Sequence, residues 1–357
     1  MIRGVAVGLV VGALFLALAL WGVPLEELGR AFGQMRWVYL LHLAVAFALQ
    51  YALRAWRQLL LVRTQAPATT YRTQLGILMI GFFCVNTFPA RLGEAVRPYL
   101  FYEKEGVPLG AGFGLVFVER LLDVLALFLT VLAVLLLVEV PDRRIELVGR
   151  SVSLVELGRG AALLVLPPVL LALVVLALFG PAALRLGERI AAAVQARVAS
   201  SAVERVMRLA LRFAESFVEG VASLRSARRL AALGGLTAAI FASMGLTTYY
   251  LARAFGLESL IGYGQAMGVL SVTMLGIALP APPGFAGVFE AAARGGLALF
   301  GVQGGELGAR ALAYALVFHW WQFLLMAAAA AYFLWRDQVG LGRLFRFARG
   351  PVSPVEP

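Results

Sequence analysis

Six charged residues crowd two short stretches of an otherwise apolar chain. Arg91, Glu94 and Arg97 lie in N-T-F-P-A-R-L-G-E-A-V-R, and Glu119, Arg120 and Asp123 lie in F-V-E-R-L-L-D. Asn86, the only asparagine, opens the first stretch. On a helix, Arg91, Glu94 and Arg97 share one broad face, and Glu119 and Asp123 are one turn apart on another. Guanidinium groups are permanently charged forks that suit phosphate oxygens. Carboxylates can hold those forks in place or meet an ammonium group. A third break, P-A-P-P-G-F-A-G-V-F-E, ends in another carboxylate, Glu290. Such a set fits a lipid headgroup carrying phosphate, with or without an amine. The alternative is a closed internal salt-bridge network that specifies helix packing and binds nothing.

These charges need explaining because of where they sit. The chain has 357 residues, 61% hydrophobic and 14% charged, with mean hydropathy +0.87. Apolar runs long enough to cross a bilayer recur along it. The fold class implied is an all-α polytopic membrane protein. A charge at membrane depth costs ~2.5–3.5 kcal/mol on insertion scales and marks function by default. The net charge of +11 is almost entirely arginine, since Lys104 is the only lysine. In a membrane protein that excess points to cytoplasmic loops facing anionic lipid. It does not point to nucleic acid, for which no motif and no basic soluble domain appear. One cysteine, Cys84, excludes an intrachain disulfide and a cysteine-cluster metal site. His42 and His319 are too few for a histidine-rich one. No cofactor or metal is expected, and no nucleotide-binding or hydrolase motif is present.

In chain order, residues 4–23 read as a first transmembrane helix and 24–36 as a short loop. Residues 37–62 cross back, ending among Arg54, Arg57 and Arg63, with Arg54 and Arg57 expected to snorkel towards headgroups. Residues 74–88 are apolar but short and stop at Pro89, and 90–103 form a second short, amphipathic helix. Proline suits a helix start, not its middle, so 74–103 reads as a re-entrant hairpin. Residues 108–138 form a long helix, 139–160 a loop of balanced charge, and 161–179 cross again. Residues 181–230 are arginine-rich with helical apolar spacing, as amphipathic surface helices or a solvated connector. Residues 231–255 cross outward, 264–300 form a second broken hairpin containing Arg294, and 307–335 are the last crossing before a basic tail.

About six full crossings plus two re-entrant hairpins keep every arginine cluster on one side. That side would be the cytoplasm of a bacterial or archaeal cell, with both termini in it and the chain in the inner membrane. The whole chain, 1–357, is then one membrane domain: a first half, 1–180, the connector, a second half, 231–335, and the tail, 336–357. The breaks echo each other. Pro89, Gly93 and Glu94 in the first correspond to Pro283, Gly284, Gly287 and Glu290 in the second. Entering from opposite faces, the hairpins would form an inverted repeat, a recurring plan of transporters. Their helix starts would offer free N–H groups and a positive dipole end at mid-depth. Cys84 and His42 read as packing and interfacial residues. His319, in F-H-W-W-Q, reads as a packing or interface residue before a proton relay.

The three motifs, in this order, resemble the membrane domain of lysylphosphatidylglycerol synthases, a family also described as flippase-like integral membrane proteins. The resemblance covers nearly the whole chain. It implies movement of a lipid or lipid-linked headgroup between leaflets and singles out Asn86, Pro89, Arg91, Gly93, Glu94, Arg97, Glu119, Arg120, Asp123, Pro283, Gly284, Gly287 and Glu290. No soluble aminoacyl-transferase domain follows Trp335, so lipid lysylation is not implied. His319 stands where an arginine would be expected, which leaves headgroup specificity open. The readings kept beside translocation are a membrane-embedded lipid-modifying transferase and a non-catalytic partner of a separate synthase or glycosyltransferase. Membrane lipids are the expected partners, with a homo-oligomer or a separate synthase also open. The lipid, the direction and the driving ion are not readable from the sequence.

Overall fold

The computed structural model describes residues 24–88, 93–141, 144–147, 150–195, 201–221, 226–278 and 283–349. The expected first crossing, residues 4–23, therefore lies outside the described residues, as do Pro89 and Arg91. The helices are α1 (Leu25–Gly33), α2 (Tyr39–Val62), α3 (Tyr71–Thr87), α4 (Val96–Glu105), α5 (Leu109–Leu137), α6 (Leu154–Gln195), α7 (Ser201–Gly220), α8 (Ala227–Ala254), α9 (Tyr263–Ala278), α10 (Val288–Leu299), α11 (Gly305–Arg336) and α12 (Leu341–Arg349). Among the described residues the fold is all-α apart from one antiparallel hairpin, β1 (Arg144–Leu147) with β2 (Arg150–Ser153).

Among the described residues, four helices are long and apolar enough to cross a membrane: Leu109–Leu137, Val155–Val175 within α6, Ala227–Ala254 and Gly305–Arg336. With 24 residues, α2 has the length, but Gln50, Arg54, Arg57 and Gln58 dilute its apolar character, and all four are buried. Three expectations change. Residues 24–36 are not merely a loop: α1 forms there, with Glu26 and Glu27 in its first turn favouring the helix dipole and Ala31 buried in the core. Residues 139–160 hold the β-hairpin and the start of α6. The chain also does not break at Pro181, because α6 runs through Pro167, Pro168 and Pro181 for 42 residues. Only the later part of the connector, α7, is a separate amphipathic helix.

Two helical hairpins organise the interior, and glycine sets how closely their arms approach. A Cβ at Gly93 would overlap the backbone of Cys84 and Val85, and one at Gly81 would overlap the Arg97 side chain. Contacts that pair 81 with 97 and 84 with 93 define an antiparallel return of the chain onto α3. The second hairpin repeats the pattern. Gly276 abuts Ala292, Gly268 faces Phe300 (2.8 Å to a built Cβ) and Gly296 faces the Val269 backbone (3.0 Å). Each hairpin has its own core. Ile77, Ile80, Leu100, Phe101 and Leu115 anchor the first, and Leu270, Leu297, Phe255, Ile261 and Tyr314 the second. Leu127, Val131, Ile240 and Phe241 join α5 to α8 between them. Where lipid competes equally for apolar surface, close packing through small residues is what draws helices together. The same device docks α7: Gly110 and Gly114 of α5 meet the Phe213 and Phe217 backbone, and Gly220 meets Ala111.

The ends of the bundle separate by sequence. At one end, Arg343 pairs with Glu103 at 2.6 Å, Lys104 pairs with Asp337, Tyr99 stacks on Phe347 and Gln65 bonds the Glu219 carbonyl. At the other, Arg36 pairs with Glu258 at 2.8 Å, Arg310 bonds Gln34 and Arg253 bonds Tyr39. Burial would raise the Glu258 carboxyl, but its backbone hydrogen bond and Arg36 hold it below the usual carboxylate range. That tie is therefore complete at neutral pH and is lost only as pH falls through the lowered value.

The glycine contacts predict an asymmetry. Gly93→Ala should destabilise the purified protein by ~1–3 kcal/mol, the usual cost of overpacking. Gly235→Ala, inside α8 with open space around its Cβ position, should be neutral or stabilising by up to ~1 kcal/mol. Thermal unfolding in detergent measures both, and equal effects would refute the close-packed hairpin.

Candidate headgroup site between the hairpins

The sequence places Arg54 and Arg57 on the same stripe of α2 as Gln50 and Gln58, and that stripe faces inward. This corrects the snorkelling expectation. Arg57 is 1% exposed and donates to Asp123 Oδ1 at 2.7 Å and to Thr237 Oγ1 of α8 at 2.9 Å. Arg54 lies 3.5 Å from Asp123 Oδ2 and donates to Met244 Sδ. Arg120, one turn before Asp123 on α5, reaches the same oxygen at 3.6 Å. One carboxylate is thus shared by three guanidinium groups from two helices. Around them, Phe82 of α3 presents its ring to Arg54, Arg97 and Arg120, each 5.5–5.7 Å from the centroid, a distance at which the ring quadrupole attracts a cation.

Arg97 of α4 pairs with Glu119 of α5 and donates to Gln58 Oε1. From Gln58 a line of hydrogen bonds runs outward. Gln58 Nε2 donates to Gln74 Oε1 at 2.8 Å, Gln74 Nε2 to Thr69 Oγ1 at 2.7 Å, and Thr69 to Glu105 at 2.6 Å. Arg97, Glu119, Gln58 and Gln74 are all buried, so every link replaces a bond to water that is not there to be made.

The cluster is unbalanced. Arg54, Arg57, Arg97 and Arg120 face Glu119, Asp123 and Glu94, the last close enough to Arg120 to act on it electrostatically. Among the described residues, several buried polar atoms of the cluster make no hydrogen bond: Nε of Arg54, Arg57, Arg97 and Arg120, Nη1 of Arg97, and the acceptor Oε1 of Glu119. Most of the group is sealed, but the Arg120 side chain is 37% exposed, so the cluster opens there.

Beside it runs an apolar groove of about 570 Å³ between α5, α8 and α9, within the ~300–1,000 Å³ range of ligand pockets. Leu122, Thr237, Phe241 and Met267 line it. Thr237 is the hydroxyl bonded to Arg57, so one side chain separates the groove from the charges.

The residues expected from sequence are thus partly gathered. Arg97, Glu119, Arg120 and Asp123 meet, with Glu94 beside them. Asn86 caps its own turn, donating to the Phe82 carbonyl at 2.8 Å. Gly284, in a 3₁₀ turn beginning at Pro283, has φ +73, and a Cβ there would stand 3.6 Å from the Asn86 carbonyl. The chain just after the second break therefore lies against the chain just before the first. Gly287, at φ +80, starts α10. Glu290 is fully buried and, among the described residues, stands apart from Arg97 and Arg120, accepting from Gly287 N at 2.6 Å and pairing with His319 Nδ1 at 2.8 Å.

A family model described as the lysylphosphatidylglycerol synthase TM region matches residues 5–330. No curated protein matches the chain.

Asp123→Asn should cost ~3–5 kcal/mol, because it leaves the buried Arg54 and Arg57, and Arg120 beside them, without their shared carboxylate. Adding Arg57→Met should recover part of that loss. Chemical or thermal unfolding of both variants tests it. A single variant as stable as wild type would refute the shared-carboxylate site.

Proposed function

The chain belongs to the lysylphosphatidylglycerol synthase transmembrane family, and from that premise we propose that it moves a phosphate-bearing anionic or zwitterionic lipid between leaflets. The observation that carries this reading is a buried arginine cluster joined to the apolar groove through Thr237, which bonds Arg57 and lines the groove. A lipid needs both: oriented positive charge for the phosphate, and apolar space for an acyl chain at the same depth. Arg120, with Arg91 where the family motif places it, would take the phosphate, and Glu94 would meet an amine where the headgroup has one. Arg54, Arg57 and Asp123 would hold the charged floor in place. Thr237 would mark where headgroup gives way to chain.

The hairpins would be re-entrant. With 17 and 16 residues, α3 and α9 are about 26 and 24 Å long at 1.5 Å per residue, short of the ~30 Å core. Their paired arms, α4 and α10, are shorter still. The α3–α4 hairpin has its base at the end carrying α7 and α12, and the α9–α10 hairpin at the end carrying α1. Opposed hairpins that approach each other fit six crossings and a cytoplasmic placement of α7 and α12. Broken backbone at that depth is tolerated where it lines a cavity, and rocking of one half against the other would expose the site to each leaflet in turn.

The test is leaflet exchange of a labelled anionic lipid in proteoliposomes, beside thermal stability. Arg120→Lys keeps the charge and loses the fork. Exchange should fall about ten- to a hundredfold, matching the ~1.5–3 kcal/mol of a charge-assisted hydrogen bond, with unfolding nearly unchanged. Ala238→Trp, which fills the groove, should slow exchange without touching a charge. Normal exchange in both variants would overturn translocation through this site. Absence of exchange in wild type would favour the partner of a separate synthase. In a Cys84→Ser background, Arg208→Cys should be labelled only from the cytoplasm and Glu306→Cys only from outside. Labelling of both from one side would break the opposed-hairpin topology.

A further inference from the structure

The arginine site leaves one buried titratable pair unused. Glu290 is fully buried at the third position of α10, and its two carboxylate oxygens have different partners. Oε2 accepts from the Gly287 backbone at 2.6 Å, tying the side chain to the left-handed turn that ends the hairpin tip. Oε1 pairs at 2.8 Å with Nδ1 of His319 on α11. The imidazole is itself buried, stacked on Phe289 with centroids 4.6 Å apart and flanked by Trp320 at 5.0 Å. Three residues before Gly287, Gly284 rests against the carbonyl of Asn86. The pair therefore fastens the second tip to α11 near its contact with the Asn86 carbonyl.

The groups around His319 restrict what can control its charge. From α10 comes Glu290, with Arg294 one turn further along. On α11 itself, Arg310 and Glu306 are more than two turns away and paired with each other, and Arg336 is more than four turns away. From α2, Tyr51 reaches α11 at Met326, with Arg54 one turn beyond it. Glu290 is the carboxylate in contact with the ring. With neutral imidazole the pair carries one negative charge in an apolar setting, and with imidazolium it carries none. The pair can therefore take up one proton, on Nε2, while Nδ1–H stays bonded to Glu290.

We propose that Glu290 and His319 form a proton-binding site that couples the second hairpin to lipid movement, a step resting on the translocation reading above. Protonation leaves the pair neutral and holds the tip closed on Asn86. Release of that proton to water restores a net negative charge, which draws the tip away from α11 towards the aqueous side. One proton is bound and one released per cycle of the tip.

His319→Gln is the decisive variant, because glutamine keeps a donor for Glu290 but cannot take up a proton. Glu290→Gln is the complementary one. Lipid exchange is measured in proteoliposomes of phosphatidylglycerol and phosphatidylcholine at matched pH on both sides, from pH 5 to 8, and under an imposed pH gradient. Wild-type exchange should change about tenfold per pH unit along one limb, as a single titrating proton requires, and the gradient should bias the label towards one leaflet. In His319→Gln, exchange should continue without either response. Identical pH profiles in wild type and both variants would overturn the coupling. Hydrogen–deuterium exchange of residues 283–290, corrected for intrinsic rates, reads the proton site without transport. Protection should depend on pH in wild type and not in His319→Gln, and equal dependence in both would overturn the proposal. A pH-dependent tip in a protein that exchanges no lipid at any pH would instead defeat the translocation reading while leaving the proton site standing.

Discussion

Asp123 is the charge on which the interior depends. One carboxylate on α5 collects Arg57 and Arg54 from α2 and Arg120 from its own helix. In a low-dielectric interior, like charges at such spacing would drive the helices apart, and a single shared counter-charge turns that repulsion into a junction. Through Arg57, the junction also takes in α8 at Thr237. Buried ion pairs are poor sources of stability but effective at specifying arrangement. Here they fix which faces of α2, α5 and α8 look inward, and so where the groove opens.

The hairpins solve a different problem. Two helical arms can lie in close contact only where the residues between them are small. At Gly93, and again between α9 and α10, the returning arm lies so close that backbone covers backbone. The two hairpins also approach each other, with Gly284 against the Asn86 carbonyl. Because the two cores are separate and share α11, each hairpin can keep its own packing while the contact between them changes.

Much of this was legible beforehand. The membrane class followed from composition, the division of the helices around residues 89–92 and 279–282 from the proline and glycine there, and the gathering of Arg97, Glu119, Arg120 and Asp123 from charge in an apolar chain. Arg54 and Arg57 were misread because snorkelling and pairing look alike on one helix. The available signal was that Gln50, Arg54, Arg57 and Gln58 recur at helical spacing on one face, which lipid would not tolerate. Glu290 was grouped with the arginines through its motif, whereas its partner, His319, is set by how α10 meets α11, a tertiary fact that no local pattern contains. The helix α1 was missed because its apolar face becomes meaningful only against the core around Phe255 and Tyr314. The continuity of α6 was missed because proline usually ends helices in water, whereas a membrane offers the chain fewer alternatives.

The line from Arg97 to Glu105 has a sense of direction. An arginine can only donate and an ionised carboxylate can only accept, so the two ends dictate how both amides between them are turned. Reversing either glutamine would set donor against donor at Arg97 or leave the Thr69 hydroxyl facing the wrong atom. The four links therefore behave as a single polarised thread, correct as a whole or broken as a whole. It begins beside Glu119 in the interior and ends at Glu105, where α4 meets water. Because Arg97 and Glu105 stand at the two ends of α4, the thread seats that helix against α2 through Gln58 and against α3 through Gln74 in a single register.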